Sequence, residues 1–137
     1  MTLAAAITRI QVHADACTGV KFAPAAPPEA LGALPAVFAY PIEGSMDTLS
    51  NDNINSFHTI AVDYVTPRTL LDVAQERVIT FVTEFPKKLA LDPTLNATVT
   101  TIVFPVTYSV FDVKWDTTEV RIVRFRVPVK LHEAASS

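Results

Sequence analysis

One cysteine, three glycines and three histidines are all that this 137-residue chain holds of the residues that most often mark chemistry. Cys17 has no partner for an intrachain disulfide, and no Cys/His cluster stands at zinc-binding spacing. A buried thiol is its expected state, because free cysteine is among the most buried residue types, and a reducing compartment the expected setting. Gly19, Gly32 and Gly44 are isolated, which excludes a P-loop and a dinucleotide fingerprint. His13, His58 and His132 fall in no metal-protease or metal-ligand pattern. Ser45 follows Gly44 in EGSMD, but the second glycine of a nucleophile elbow is absent. SNDNINS alternates oxygen-bearing side chains as a cation loop does, yet lacks the central glycine and the closing glutamate. Asp72 and Glu76 share a helix face and read as solvated surface rather than an acid/base pair. No cofactor or metal is expected, and no enzymatic activity.

Charge is scarce as well: 18% of residues are charged against 50% hydrophobic, which is apolar for a solitary domain and points to an interface. The net charge of −3 argues against a dedicated nucleic-acid binder. Its distribution is uneven, with no Lys or Arg between Lys21 and Arg68 but Lys114, Arg121, Arg124, Arg126 and Lys130 near the end. An acidic middle and a basic end suit pairing between subunits. The N-terminal run is interrupted by Arg9, His13 and Asp15, so neither a signal peptide nor a membrane span is expected. Asn96-Ala97-Thr98 is then a chance glycosylation sequon.

What is present is alternating and helical periodicity sufficient for one domain over residues 1–137. Leu3, Ile7, Ile10, Ala14 and Cys17 recur at spacings of three and four, predicting an amphipathic helix over residues 2–16. Residues 21–41 hold five of the ten prolines and read as a connector, with PAVFAY inside it as a short buried strand. Residues 43–55 are rich in Ser, Asn, Asp and Gly and predict an exposed loop. SFHTIAVDYV alternates as a strand with His58, Ile60, Val62 and Tyr64 on one face. Thr66 as cap and Pro67 at the first helical position predict a helix that ends near Phe85, before Pro86. Its apolar stripe is Leu70, Leu71, Ala74, Val78, Phe81, Val82 and Phe85.

Residues 98–131 predict a long closing hairpin that turns at Asp116, Thr117 and Thr118. Strands of this length exceed the usual five or so residues and offer surface to a neighbour. Apolar parity changes midway in both, from Val110 to Phe111 and from Ile122 to Val123, which predicts a bulge or bend in each. Pro105 and Pro128 fit an edge strand or a bulge. Residues 132–137 are expected to be a disordered tail. The fold class is therefore α+β: an antiparallel sheet with a long C-terminal hairpin packed against two main helices.

The segments LPAVFAYP, SFHTIAVDYVTPRTLLDVAQERVITFVTEF and YSVFDVKWDTTEVRIVRFRVPVKL, in that order, resemble the tail terminator proteins of long-tailed, lambda-type phages. The resemblance covers nearly the whole chain and is one of element order. It implies a non-enzymatic virion protein, assembled in the host cytoplasm, that forms a homohexameric ring on the head-proximal end of the tail. Such a ring caps the tail tube protein, stops its polymerisation and joins the tail to a head-completion or neck protein, while DNA passes through the lumen without specific binding. The interface residues expected on this reading are Asp47, Asp52, Asn53, Trp115, Arg121, Arg124 and Arg126. The alternatives are a head-completion or neck connector protein, and a small-molecule binding domain or enzyme with a helix-sheet pocket around His58, Asp63 and Tyr64. Nucleic-acid binding through Arg121, Arg124, Arg126 and Lys130 is a third.

Overall fold

Thr2 begins the first helix as its N-cap, the side-chain oxygen accepting from the Ala5 N–H at 3.1 Å, and α1 runs Leu3–Asp15. The computed structural model describes residues 2–24, 33–50, 53–115 and 117–134, with only the backbone at 47–50, 53, 133 and 134. Strands β1 (Ala36–Ser50) and β2 (Asn53–Pro67) are followed by α2 (Leu71–Ala90). A two-residue β3 (Thr101–Ile102), β4 (Thr107–Trp115) and β5 (Thr118–Ala134) complete the chain. Strand order is β1-β2-β5, with β3 and β4 both pairing the far side of β5, and every ladder is antiparallel. The α+β class, the antiparallel sheet and the closing hairpin are as the sequence predicts.

Both helices lie on one face of this sheet. Ala6, Ile10, Ala14 and Cys17 of the α1 region and Val78, Phe81, Phe85 and Leu89 of α2 pack with Val37, Ile60, Val62, Tyr64, Val123, Phe125, Val127, Val129 and Leu131. At the centre, Phe81 stacks on Tyr64 at 4.4 Å and on Phe85 at 5.2 Å and meets the edge of Phe125 at 5.7 Å.

The residues expected to form a loop, 43–55, instead continue β1 and β2 as a hairpin, paired from Glu43↔Thr59 to Ser50↔Asn53 with register shifts at Pro41/Glu43 and Thr48/Ser50. Residues 43–46 are exposed, so their turn-forming residues mark exposure rather than an unpaired backbone. The buried PAVFAY strand is the inner half of that same β1. Gly44 is a spatial requirement here, because a Cβ would lie 2.8 Å from His58 Nδ1 and 2.9 Å from the Phe57 carbonyl oxygen.

α2 starts later and ends later than its signals suggest. Thr66 and Pro67 remain in β2, paired to Arg121 and Val120, so Leu70 is the N-cap and makes no side-chain capping bond. Leu70 and Leu71 are exposed rather than part of the stripe. Pro86 lies inside the helix, at a usual cost of roughly 3 kcal/mol. Phe81 and Phe85 before it and Leu89 after it are all buried in the same core, and that packing carries the helix through.

A bulge in each strand of the closing hairpin is not what the parity changes mean. The first long strand breaks between Ile102 and Thr107 into β3 and β4, whereas β5 holds unshifted register with β2 from Pro67↔Val120 to Asn53↔Ala134. Pro128 therefore sits in a central strand. Its carbonyl accepts from Val103 N–H at 2.8 Å, so its ring nitrogen faces the same side, where the gap between β3 and β4 demands no donor. Residues 132–134, expected in the tail, extend β5; residues 135–137 and the turn residue Asp116 lie outside the described residues.

After α2 the chain turns through Leu95, Asn96 and Ala97, all at positive φ (49°, 56° and 63°). Left-handed backbone costs about 1–2 kcal/mol per residue for side chains of this kind. Asp92 offsets part of it: Oδ1 accepts from the Asn96 N–H at 2.8 Å, and Oδ2 meets Arg9 Nε at 2.9 Å and His13 Nε2 at 2.7 Å. This carboxylate thereby ties α1 to the turn. Burial pushes its pKa up, but the bonds from His13, Asn96 and Arg9 outweigh burial and bring it down to about 2.

Two expectations follow. Phe81→Ala removes the central ring of the aromatic stack and should lower unfolding free energy by about 3–5 kcal/mol, read as the urea midpoint. Asp92 has a folded pKa below its ordinary value of 3.8, so its contribution is present above that value and fades as pH falls toward about 2. Asp92→Asn should accordingly be less stable than the parent at pH 6, with the difference shrinking between pH 4 and pH 2; a pH-independent difference would rule this out.

Candidate functional site

The second face of the sheet, away from the helices, is where the remaining chemistry gathers. Alternation sends Phe38, Asp63, Val65, Val120, Ile122, Arg124, Phe111 and Trp115 to this side. Phe38, Val65, Val120 and Ile122 form a small separate cluster there, flanked by Leu34, Tyr40, Phe111 and Trp115. This explains the parity change at Ile122 to Val123: one strand feeds two cores on opposite faces. Phe38 and the edge of Trp115 are 5.5 Å apart between ring centroids, although they lie on the outermost strands β1 and β4. In a flat sheet, ~4.8 Å between strands and ~3.3 Å per residue would separate their Cα atoms by more than about 20 Å. The sheet is therefore curled toward its helix-free side.

Asp63, 1% exposed, sits in the middle of that concave face. Arg124, its register partner on β5, donates from Nε to Oδ1 at 2.8 Å and from Nη2 to Oδ2 at 3.0 Å. Tyr40 donates its hydroxyl to Oδ2 at 2.6 Å, and the Arg124 guanidinium lies 5.0 Å from the Phe111 ring centroid. Burial, then the bond to Asp63, pushes the Tyr40 phenol up to about 12, and the same carboxylate raises Arg124 further above its ordinary value. The arrangement locks three strands together. It offers no open acid or base.

The expected interface residues divide accordingly. Arg124 is held by Asp63; Arg121 is held by Asp112, with Nε 2.9 Å from Oδ1; Trp115 is half-buried against Phe38. Arg126 is exposed. Asp47 and Asn53 lie on β1 and β2, and Asp52 lies outside the described residues. A pocket uniting His58, Asp63 and Tyr64 is not assembled, because His58 and Tyr64 share the helix-bearing parity of β2 and Asp63 has the other. His58 instead borders an open groove of about 310 Å³ with Glu43, Ser45, Phe57, Thr59, Val103 and Pro128. Cys17 is buried, and burial pushes its thiol up to about 11, as an inert thiol requires. Among the described residues no group of three or more His, Cys, Asp and Glu stands close enough to hold a metal, and no helix is long and apolar enough to cross a membrane.

The paired register shows which side chains line the two sheet edges. On β1, Ile42 and Met46 are 37% and 66% exposed; on the opposite edge, Val103, Phe104 and Tyr108 are 37%, 54% and 52% exposed. Met46 falls in the predicted 43–55 loop and Val103, Phe104 and Tyr108 in the first strand of the predicted closing hairpin, and only the paired register shows that they line edges. No protein-family model matches this chain, and no curated protein matches it.

Arg124→Met leaves the buried Asp63 charge without its cation and should cost about 3 kcal/mol or more in urea unfolding. Adding Asp63→Leu should return most of that loss, since no unpaired charge remains. Equal losses for the single and the double variant would contradict the clamp. It also follows that a charge reversal meant to probe an interface belongs at Arg126 and not at Arg124.

Proposed function

We propose that this chain is a non-enzymatic virion protein of a long-tailed phage: a tail terminator that assembles as a hexameric ring on the head-proximal end of the tail tube. There it would stop tube polymerisation and present the face that joins the head or neck. The observation that carries the reading is a sheet with exposed apolar side chains on both outer edges. Exposed edges are an aggregation hazard in a monomer, but in a closed ring each meets a partner. The helix-strand-strand-helix-strand-strand order fits the resemblance to lambda-type terminators, with β3 as an addition. The buried Asp63–Arg124 clamp and inert Cys17 agree with a role in which rigidity matters more than reactivity.

Light scattering combined with negative-stain imaging tests this. The protein should form closed rings, and adding it to growing tail tubes should limit their length and place density at one end. A strict monomer at all concentrations, with tubes unaffected, would refute termination; binding to heads rather than tubes would move the assignment to a neck connector.

A further inference from the structure

The four long strands alternate in direction across the sheet in the order β1-β2-β5-β4. A second copy, turned about an axis along the strands, therefore brings its β1 beside the β3–β4 edge in antiparallel sense with the faces matched. Levels match too. Glu43 pairs with Thr59, which pairs with Pro128, whose carbonyl receives the Val103 N–H. Without any slide along the strands, Ile42 and Glu43 of one copy fall opposite Val103 and Phe104 of the next. These are the positions where each edge exposes apolar side chains.

Resting on the ring reading above, we infer that the joint between copies is heterologous: Ile42 and Glu43, where the open stretch of β1 begins, dock against Val103 and Phe104 of its neighbour. Charge selects this pairing over a two-fold one. Glu43 lies on the helix-free face, in register with Thr59, in a strand where no Lys or Arg occurs. Exposed Arg126 lies on that same face one strand in from the opposite edge, beside the short side chain of Thr107. Joining unlike edges brings Glu43 toward Arg126, whereas β1 against β1 would oppose two glutamates and β4 against β4 two arginines. The inner part of β1 is unavailable, because the Val37 N–H donates to the Phe22 carbonyl and Gln11 Nε2 donates to the Val37 carbonyl. Pro41 then separates that occupied stretch from the open one.

The test is thiol cross-linking by a short bis-maleimide in a Cys17→Ala background. Ile42→Cys combined with Phe104→Cys should give a ladder on denaturing gels that continues beyond dimer, while either single cysteine gives monomer only. Dimers from one single-cysteine variant would show a two-fold joint and overturn the inference. Rings by negative stain without cross-linking in the double variant would place the joint elsewhere and leave the ring reading standing. Monomers throughout would remove both. As a second readout on exposed positions, Glu43→Lys or Arg126→Glu should each reduce the assembled fraction by light scattering, and the two together should restore it; no recovery counts against the charge pairing.

Discussion

The unshifted pairing of β2 with β5, from Pro67↔Val120 to Asn53↔Ala134, is the constraint on which the rest of the structure depends. A side-chain period of two means that one residue of slip in β2 would turn that strand's two faces over against the rest of the sheet. Ile60, Val62 and Tyr64 would leave the helices, and Asp63 would enter the aromatic core beside Phe81 and Phe125. Burial on both faces therefore specifies a single register. The Asp63–Arg124 pair adds to that specificity, because a carboxylate with 1% exposure tolerates only the alignment that supplies its cation.

From that ladder the other elements take their places. β1 adds to the other side of β2 and pairs with it from Ala36↔Val65 to Ser50↔Asn53. β4 adds to β5 only as far as Thr107, where the gap toward β3 lets Pro128 occupy a central strand without a stranded partner. Curling of the sheet brings Trp115 onto Phe38 and closes the smaller cluster. The helices cover one face, with Asp92 fastening α1 to the strained turn after α2.

Much of this is legible in the residues themselves. The α1 stripe, the strand through Ile60 and Tyr64, and the closing hairpin all follow from period and propensity. Local signals mislead where tertiary packing outweighs them: Thr66-Pro67 has the form of a helix start, but sheet pairing claims it, and Pro86 looks like a stop until Phe85 and Leu89 are seen in one core. The 43–55 segment misleads for a different reason, since polar turn-forming residues describe exposure and say little about whether the backbone is paired. Arg124 is the sharpest case. Sequence shows an arginine in a basic strand, and only register reveals the aspartate that it neutralises.

The proposed assembly rests on a sheet whose outer edges expose Ile42 and Met46 on one side and Val103, Phe104 and Tyr108 on the other. Amide hydrogen exchange at low and high protein concentration measures it directly. On assembly, protection should rise together at Ile42 and Glu43 and at Phe104, while the already paired amides of β2 and β5 change little. Assemblies that form with both edges still exchanging as fast as in the monomer would contradict it.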